Sequence, residues 1–162
     1  MSGITLVIED QNWRSHRGLQ TRLKNAADKA RKAVKLRAGF TILLTDDKRL
    51  KALNRDFRGK DKPTNVLSFP VAPPRDRAAS RSPSFQSAYC GDIAIAYGVT
   101  QKQARAQAKN FADHAVHLVV HGVLHLAGYD HERAQDARRM EPLELRILTG
   151  MGIADPYAVP RS

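Results

Sequence analysis

Apolar and polar positions alternate between two periods along this chain, and the switches between them predict its elements. Residues 4–9 run apolar and alternate as a strand does. Asp10-Gln11-Asn12 breaks that pattern, and from about Ser15 to Leu36 the apolar positions Leu19, Leu23, Ala26, Ala27, Ala30 and Val34 recur at helical spacing. Phe40 to Leu44 reads as a short strand rich in β-formers, and Thr45-Asp46-Asp47 caps a second helix to about Asp56, with Leu50 and Leu53 inward. A basic turn, Phe57 to Pro63, feeds a third strand over 64–69 that Pro70 stops. Gly91 to Ala96 is a fourth strand. Helices follow over about 98–110, 111–127 and 133–148, with Pro142 expected to kink or restart the last one. The 111–127 helix buries Val116, Val119, Val120, Val123 and Leu124.

The order β-α-β-α-β-β-α-α-α predicts a single small α/β domain: a four-stranded mixed sheet packed with about five helices. Residues 71–88 are dominated by Pro, Ser, Ala and Arg without periodicity and read as a flexible surface excursion within that domain. At 162 residues the chain is long enough to bury a core without staples. The N-terminus reads as a strand rather than a signal peptide, and no apolar run approaches the roughly 20 residues that span a bilayer. The single cysteine, Cys90, excludes an internal disulfide, fits a reducing cytoplasm, and reads as a small buried residue.

Charge changes the picture. The net +11 lies entirely in residues 1–87, with 19 Lys and Arg against 8 Asp and Glu, while residues 88–162 balance at 8 against 8. On the 15–36 helix, Arg17, Arg22, Lys24, Lys29, Arg31, Lys32 and Lys35 face one acid, Asp28. A solvated face usually mixes signs, so this one favours a polyanion such as nucleic acid, with Arg22, Lys29 and Lys32 as candidate contacts.

The chemistry concentrates in the run from His121 to His131. His121 and His125 lie one helical turn apart on one face, about 6 Å apart at Cβ. Gly128 ends the helix and the return brings His131 to the same point. Three imidazoles of this kind make a zinc-type site at the end of a central helix, with a fourth position open to water. The spacing H-x3-H-x2-G-x2-H is that of metzincin peptidases, but Gly122 stands where those enzymes carry their glutamate base. His117, one turn earlier, reads as an orienting partner or a wall of the cleft, while His16 and His114 read as ordinary core or surface residues. Asp92, after a glycine at a strand start, is a candidate to orient a histidine or act as a base, with a structural turn role as the alternative.

Asn54-Arg55-Asp56-Phe57-Arg58, the run Asp61 to Pro70, Gly91-Asp92-Ile93, His121 to His131, Met140-Glu141 and Asp155-Pro156-Tyr157 together resemble the bacterial YbeY family of rRNA-maturation endoribonucleases. The resemblance spans nearly the whole chain. It implies one zinc ion per chain on His121, His125 and His131, a functional arginine at Arg58, and a single-strand-specific endoribonuclease of 16S rRNA 3′-end maturation and ribosome quality control. The implied partners are single-stranded rRNA and the small ribosomal subunit, with a small-subunit ribosomal protein or an assembly GTPase as protein candidates and no membrane. The guanidinium of Arg58 suits the charge spread over a phosphorane-like transition state, and Lys60 and Lys62 suit the flanking backbone. An ordinary loop arginine is the alternative that composition leaves open. Two other functions compete: an assembly factor that binds RNA around a structural metal, and a metal-dependent hydrolase of another substrate. Structural zinc is usually closed by four protein ligands, and three favour an enzyme.

Overall fold

A computed structural model describes residues 3–59, 64–70, 89–128 and 134–153, with the side chains of Arg58 and of residues 134–139 outside that description. Strand β1 (Ile4–Ile8) leads through a 3-10 turn (Gln11–Ser15) to α1 (Leu19–Ala33), then β2 (Gly39–Thr45), α2 (Asp47–Arg58), β3 (Val66–Pro70), β4 (Tyr89–Ala96), α3 (Tyr97–Ala106), α4 (Phe111–Leu126) and α5 (Ala134–Gly150). The sheet order is β1-β2-β4-β3, with β1, β2 and β4 parallel and β3 antiparallel to β4. This is the mixed four-stranded sheet with five helices that the residue pattern predicts.

Strand periodicity splits the core between two faces. Phe40, Ile42, Leu44, Ile93 and Ile95 join the side chains of α1 and α4 on one face, where α5 packs on the outside of both helices. On the other, Leu67, Ala94 and Ala96 meet Leu50 of α2. Burying this apolar area, at roughly 25 cal/mol per Å², is what holds the layers together. Two glycines permit close approach. At Gly91 (φ 147°) a Cβ would lie 2.3 Å from the Phe69 carbonyl oxygen, and at Gly122 one would lie 2.7 Å from Ile93 Cγ2.

Several boundaries differ from the sequence reading. α1 begins at Leu19 rather than near Ser15, because Asp10 Oδ1 accepts the Asn12 N–H at 2.9 Å and winds 11–15 into a separate turn. Arg31 is not on the basic outer surface: it is 6% exposed and its Nε donates to Asp28 at 3.2 Å. Phe57 and Arg58 form the last helical turn of α2 rather than a loop, since the left-handed conformation that stops the helix falls on Gly59 (φ 69°). α3 ends at Ala106, short of Asn110, whose Oδ1 accepts the Ala112 and Asp113 N–H groups and so caps α4 instead. Pro70 is the last residue of β3, tolerated because β3 is an edge strand. α5 runs through Pro142 without restarting. The 71–88 excursion lies outside the described residues. Among those described, no helix is long and apolar enough to cross a membrane.

Candidate metal centre

α4 carries the histidines because its two faces do different work. Val116, Val119, Val120, Val123 and Leu124 are fully buried, which fixes the helix against the sheet and α1. His117, His121 and His125, spaced by four, form a half-buried row along another side. Gly122 lies on the sheet side: Ser68 Oγ donates to its carbonyl oxygen at 3.0 Å, and Ile93 fills the space a side chain would need. The position of the metzincin glutamate is thus used for packing.

The row is organised by a residue that the sequence reading missed. Glu144 of α5 is 0% exposed, and its two oxygens each meet an imidazole: Oε2 lies 2.8 Å from His117 Nε2, and Oε1 lies 2.8 Å from His121 Nδ1. A buried carboxylate needs such partners, because its desolvation otherwise costs several kcal/mol, roughly, per ion. A signal was present in the sequence. Glu144 sits one turn from both Met140 and Leu148, which are fully buried, so it occupies the apolar stripe of its helix.

With Nδ1 directed at Glu144, His121 turns Nε2 toward His125, whose own Nε2 is 2.9 Å away. Two ligand nitrogens of a tetrahedral zinc site stand roughly 3.3 Å apart when each bond is 2.0–2.1 Å, so this pair needs to open by only a few tenths of an ångström. His117, His121 and Glu144 also have ligand atoms within 4.8 Å of one another, and this cluster could itself hold a metal ion. Both donor sets share His121; the His121–His125 pair offers two imidazole nitrogens, and the second set adds a carboxylate oxygen to two imidazoles, and zinc accepts either kind of donor.

The other candidate residues are scattered. His131, Lys60 and Lys62 lie outside the described residues. Arg58 ends α2, on the opposite sheet face from α4. Both helices nonetheless approach the same end of edge strand β3: Phe57 packs on Phe69, and Leu126 lies against Gly91, the partner of Pro70. Asp92 is not brought to the histidines. It shares the strand parity of Ala94 and Ala96, facing away from α4, and it accepts a hydrogen bond from the Tyr89 hydroxyl. Burial, then that bond to Asp92, pushes the Tyr89 phenol up. On α1, Arg22 pairs with Asp113 at 2.8 Å and Lys32 with Asp28 at 2.9 Å, and the Lys32 contact helps hold the Asp28 carboxyl below its usual range. Lys29 is exposed and has no ion pair among the described residues. His114 is buried with Nε2 3.0 Å from Gln103 Oε1, and burial, then His117 and Lys109, lowers its pKa to about 4. His16 stacks on Phe111 at 4.4 Å and meets the Tyr97 hydroxyl at 2.8 Å.

Comparison with known proteins covers almost all of this architecture. The family model described as endoribonuclease YbeY matches residues 7–152. Curated proteins of that name are similar throughout: one from Rhodopseudomonas palustris (strain HaA2) is 44% identical over 156 residues, covering 94% of this chain and 80% of the relative. One from Chelativorans sp. (strain BNC1) is 49% identical over 142 residues, covering 88% and 83%. One from Paracoccus denitrificans (strain Pd 1222) is 44% identical over 160 residues, covering 95% and 89%. A solution structure of a Thermotoga maritima protein shares the fold, with a TM-score of 0.56 at 24% identity over 96% of this chain and 99% of that one.

Proposed function

This chain belongs to the YbeY family of endoribonucleases, and from that premise we propose that it is a zinc-dependent, single-strand-specific endoribonuclease acting in 16S rRNA 3′-end maturation and ribosome quality control. The observation that carries the metal dependence is the convergence of His121 Nε2 and His125 Nε2, backed by a fully buried carboxylate on His121 Nδ1. His131, three residues past Gly128 and so within reach of the C-terminal end of α4, is the third proposed ligand. When bound, the ion supplies Lewis-acid polarisation of a phosphoryl oxygen or of water.

The chain's own residues do the positioning. Glu144 accepts the Nδ1–H of His121, which fixes the tautomer with its Nε2 lone pair toward His125 and raises the basicity of that ligand. Its second oxygen holds His117, so one carboxylate orients two rings. RNA brings its own nucleophile, the 2′-hydroxyl, which suits a site whose helix packs a glycine where peptidases carry a base. Arg58, at the end of β3 shared by α2 and α4, meets the charge that develops on the non-bridging oxygens. Lys60 and Lys62 hold the flanking phosphates, and the exposed cations of α1 extend the track. The partners are single-stranded rRNA and the small ribosomal subunit, with a ribosomal protein or an assembly GTPase of that subunit, in the cytoplasm.

The test is cleavage of a single-stranded rRNA fragment by metal-replete and chelated protein, with His121→Ala as control. Cutting by the metal-replete wild type alone is expected. RNA that is bound but left uncut in every arm would establish the assembly-factor reading instead.

A further inference from the structure

The sheet face turned away from the histidines is covered, among the described residues, by α2 and by Val99 of α3, and between α2 and the strands lies a groove of about 600 Å³. Thr41, Leu43, Ala94 and Asp92 line it from the strands, and Arg49, Leu53 and Phe57 from the helix. Nothing in the metal chemistry uses them.

Phe57 is the unusual member. It is 70% exposed, although a phenylalanine gains from burial, and it stands edge-on to Phe69 with centroids 5.6 Å apart. Phe69 is paired directly with Asp92 across the β3–β4 ladder, so the open ring and the carboxylate flank one residue. Tyr89, 41% exposed, donates to Asp92 Oδ1 and is held 2.8 Å from Thr41 Oγ1. An ionised carboxylate has about four lone-pair positions, so one hydroxyl leaves most of its accepting capacity unused.

A flat apolar face beside an acceptor-only group fits a planar heterocycle that carries N–H donors along its edge. Guanine alone among the RNA bases offers two adjacent donors, N1–H and N2–H, in the spacing of two carboxylate oxygens. Adenine and cytosine offer one amino group beside an acceptor, and uracil one N–H between two carbonyls that a carboxylate repels. We propose that this groove is a guanine-binding subsite for single-stranded RNA, in which Phe57 stacks on the base and Asp92 accepts from its Watson–Crick edge. The choice of RNA rests on the endoribonuclease reading. A strand crossing the end of β3 would leave this base on one face of the sheet and present a phosphate to the histidines on the other.

Ligand-observed NMR titration of the full chain with GMP, IMP and AMP tests the subsite without any cleavage step. GMP should bind best, IMP several-fold more weakly for want of the 2-amino group, and AMP weakest. Asp92→Asn should abolish the preference for GMP over IMP. Phe57→Ala should weaken GMP binding about tenfold or more, the scale of losing one base–aromatic stack, and Phe57→Tyr should retain it. Both side chains are exposed, so neither change removes core. Equal binding of the three nucleotides, or GMP binding unchanged in Asp92→Asn and Phe57→Ala, overturns the proposal. The two readings fail separately. GMP bound with these losses by a protein that cuts no RNA leaves the subsite standing without the nuclease; RNA cut by a protein that does not bind GMP removes the subsite alone.

Discussion

His121 Nδ1 and Glu144 Oε1 lie 2.8 Å apart across the α4–α5 contact, and the carboxylate has no exposure to solvent. Because the same group also holds His117, docking α5 onto α4 and aiming the ligand imidazole are a single event. Glu144→Gln keeps the shape but can accept at only one end. Zinc affinity, measured by competition with a chromophoric chelator, should fall about 10- to 100-fold, the usual effect of losing a ligand's orienting partner. Wild-type affinity in this variant would mean that the carboxylate only fills space.

The Arg58 assignment separates chemistry from binding. Arg58→Ala should leave zinc content intact and reduce the cleavage rate by about 10²-fold or more, with a much smaller loss of RNA affinity. Arg58→Lys should recover part of the rate, since an ammonium lacks the bidentate fork. Wild-type single-turnover rates in both variants would exclude Arg58 from catalysis.

The cations of α1 are not equivalent. Arg22 and Lys32 already face carboxylates, whereas Lys29 is exposed without an ion pair among the described residues. Removing Lys29 should reduce the slope of log affinity against log salt by about 0.7, one single-strand phosphate contact. Arg22→Ala and Lys32→Ala should change it less. Three equal slopes, or an unchanged slope in Lys29→Ala, would show that this face is only solvated.

His114 gives stability a defined acid limb. Its folded pKa of about 4 lies below the ordinary 6.5, so between those values the unfolded chain holds more protons than the folded one. Stability from this group is therefore full above pH 6.5 and declines as pH falls toward 4. In chelator, to hold metal linkage constant, wild type should lose about 2 kcal/mol more than His114→Gln between pH 7 and pH 5 by urea denaturation. Parallel pH profiles for the two proteins would refute this.

The topology was legible because strands and helices of this chain carry clean periods, and β4 in particular exposes its parity from Asp92 to Ala96. The histidine row was legible for the same reason. Glu144 was not, because its meaning depends on which α5 face is buried, and Pro142 obscured the helical register there. Asp92 misled for a related reason. Adjacent in sequence to Ile93, which touches the histidine helix, it points to the other side of the sheet, and only the β4 pairing settles which parity faces α4. The turn read at Phe57-Arg58 failed by two residues, since the glycine that ends a helix lies just after its last turn.

Ile93 and Gly122 also set a distance between two kinds of enzyme. A glutamate at 122 would begin with a Cβ 2.7 Å from Ile93 Cγ2 and drive its carboxylate toward the sheet, not toward the metal side of the helix. Making room would mean hollowing the β4 core or lifting α4, and lifting α4 would disturb the 2.8 Å contact between His121 and Glu144. A peptidase is therefore not one substitution from this protein, despite sharing the spacing of its histidines: the two are separated by how closely a helix lies on a sheet.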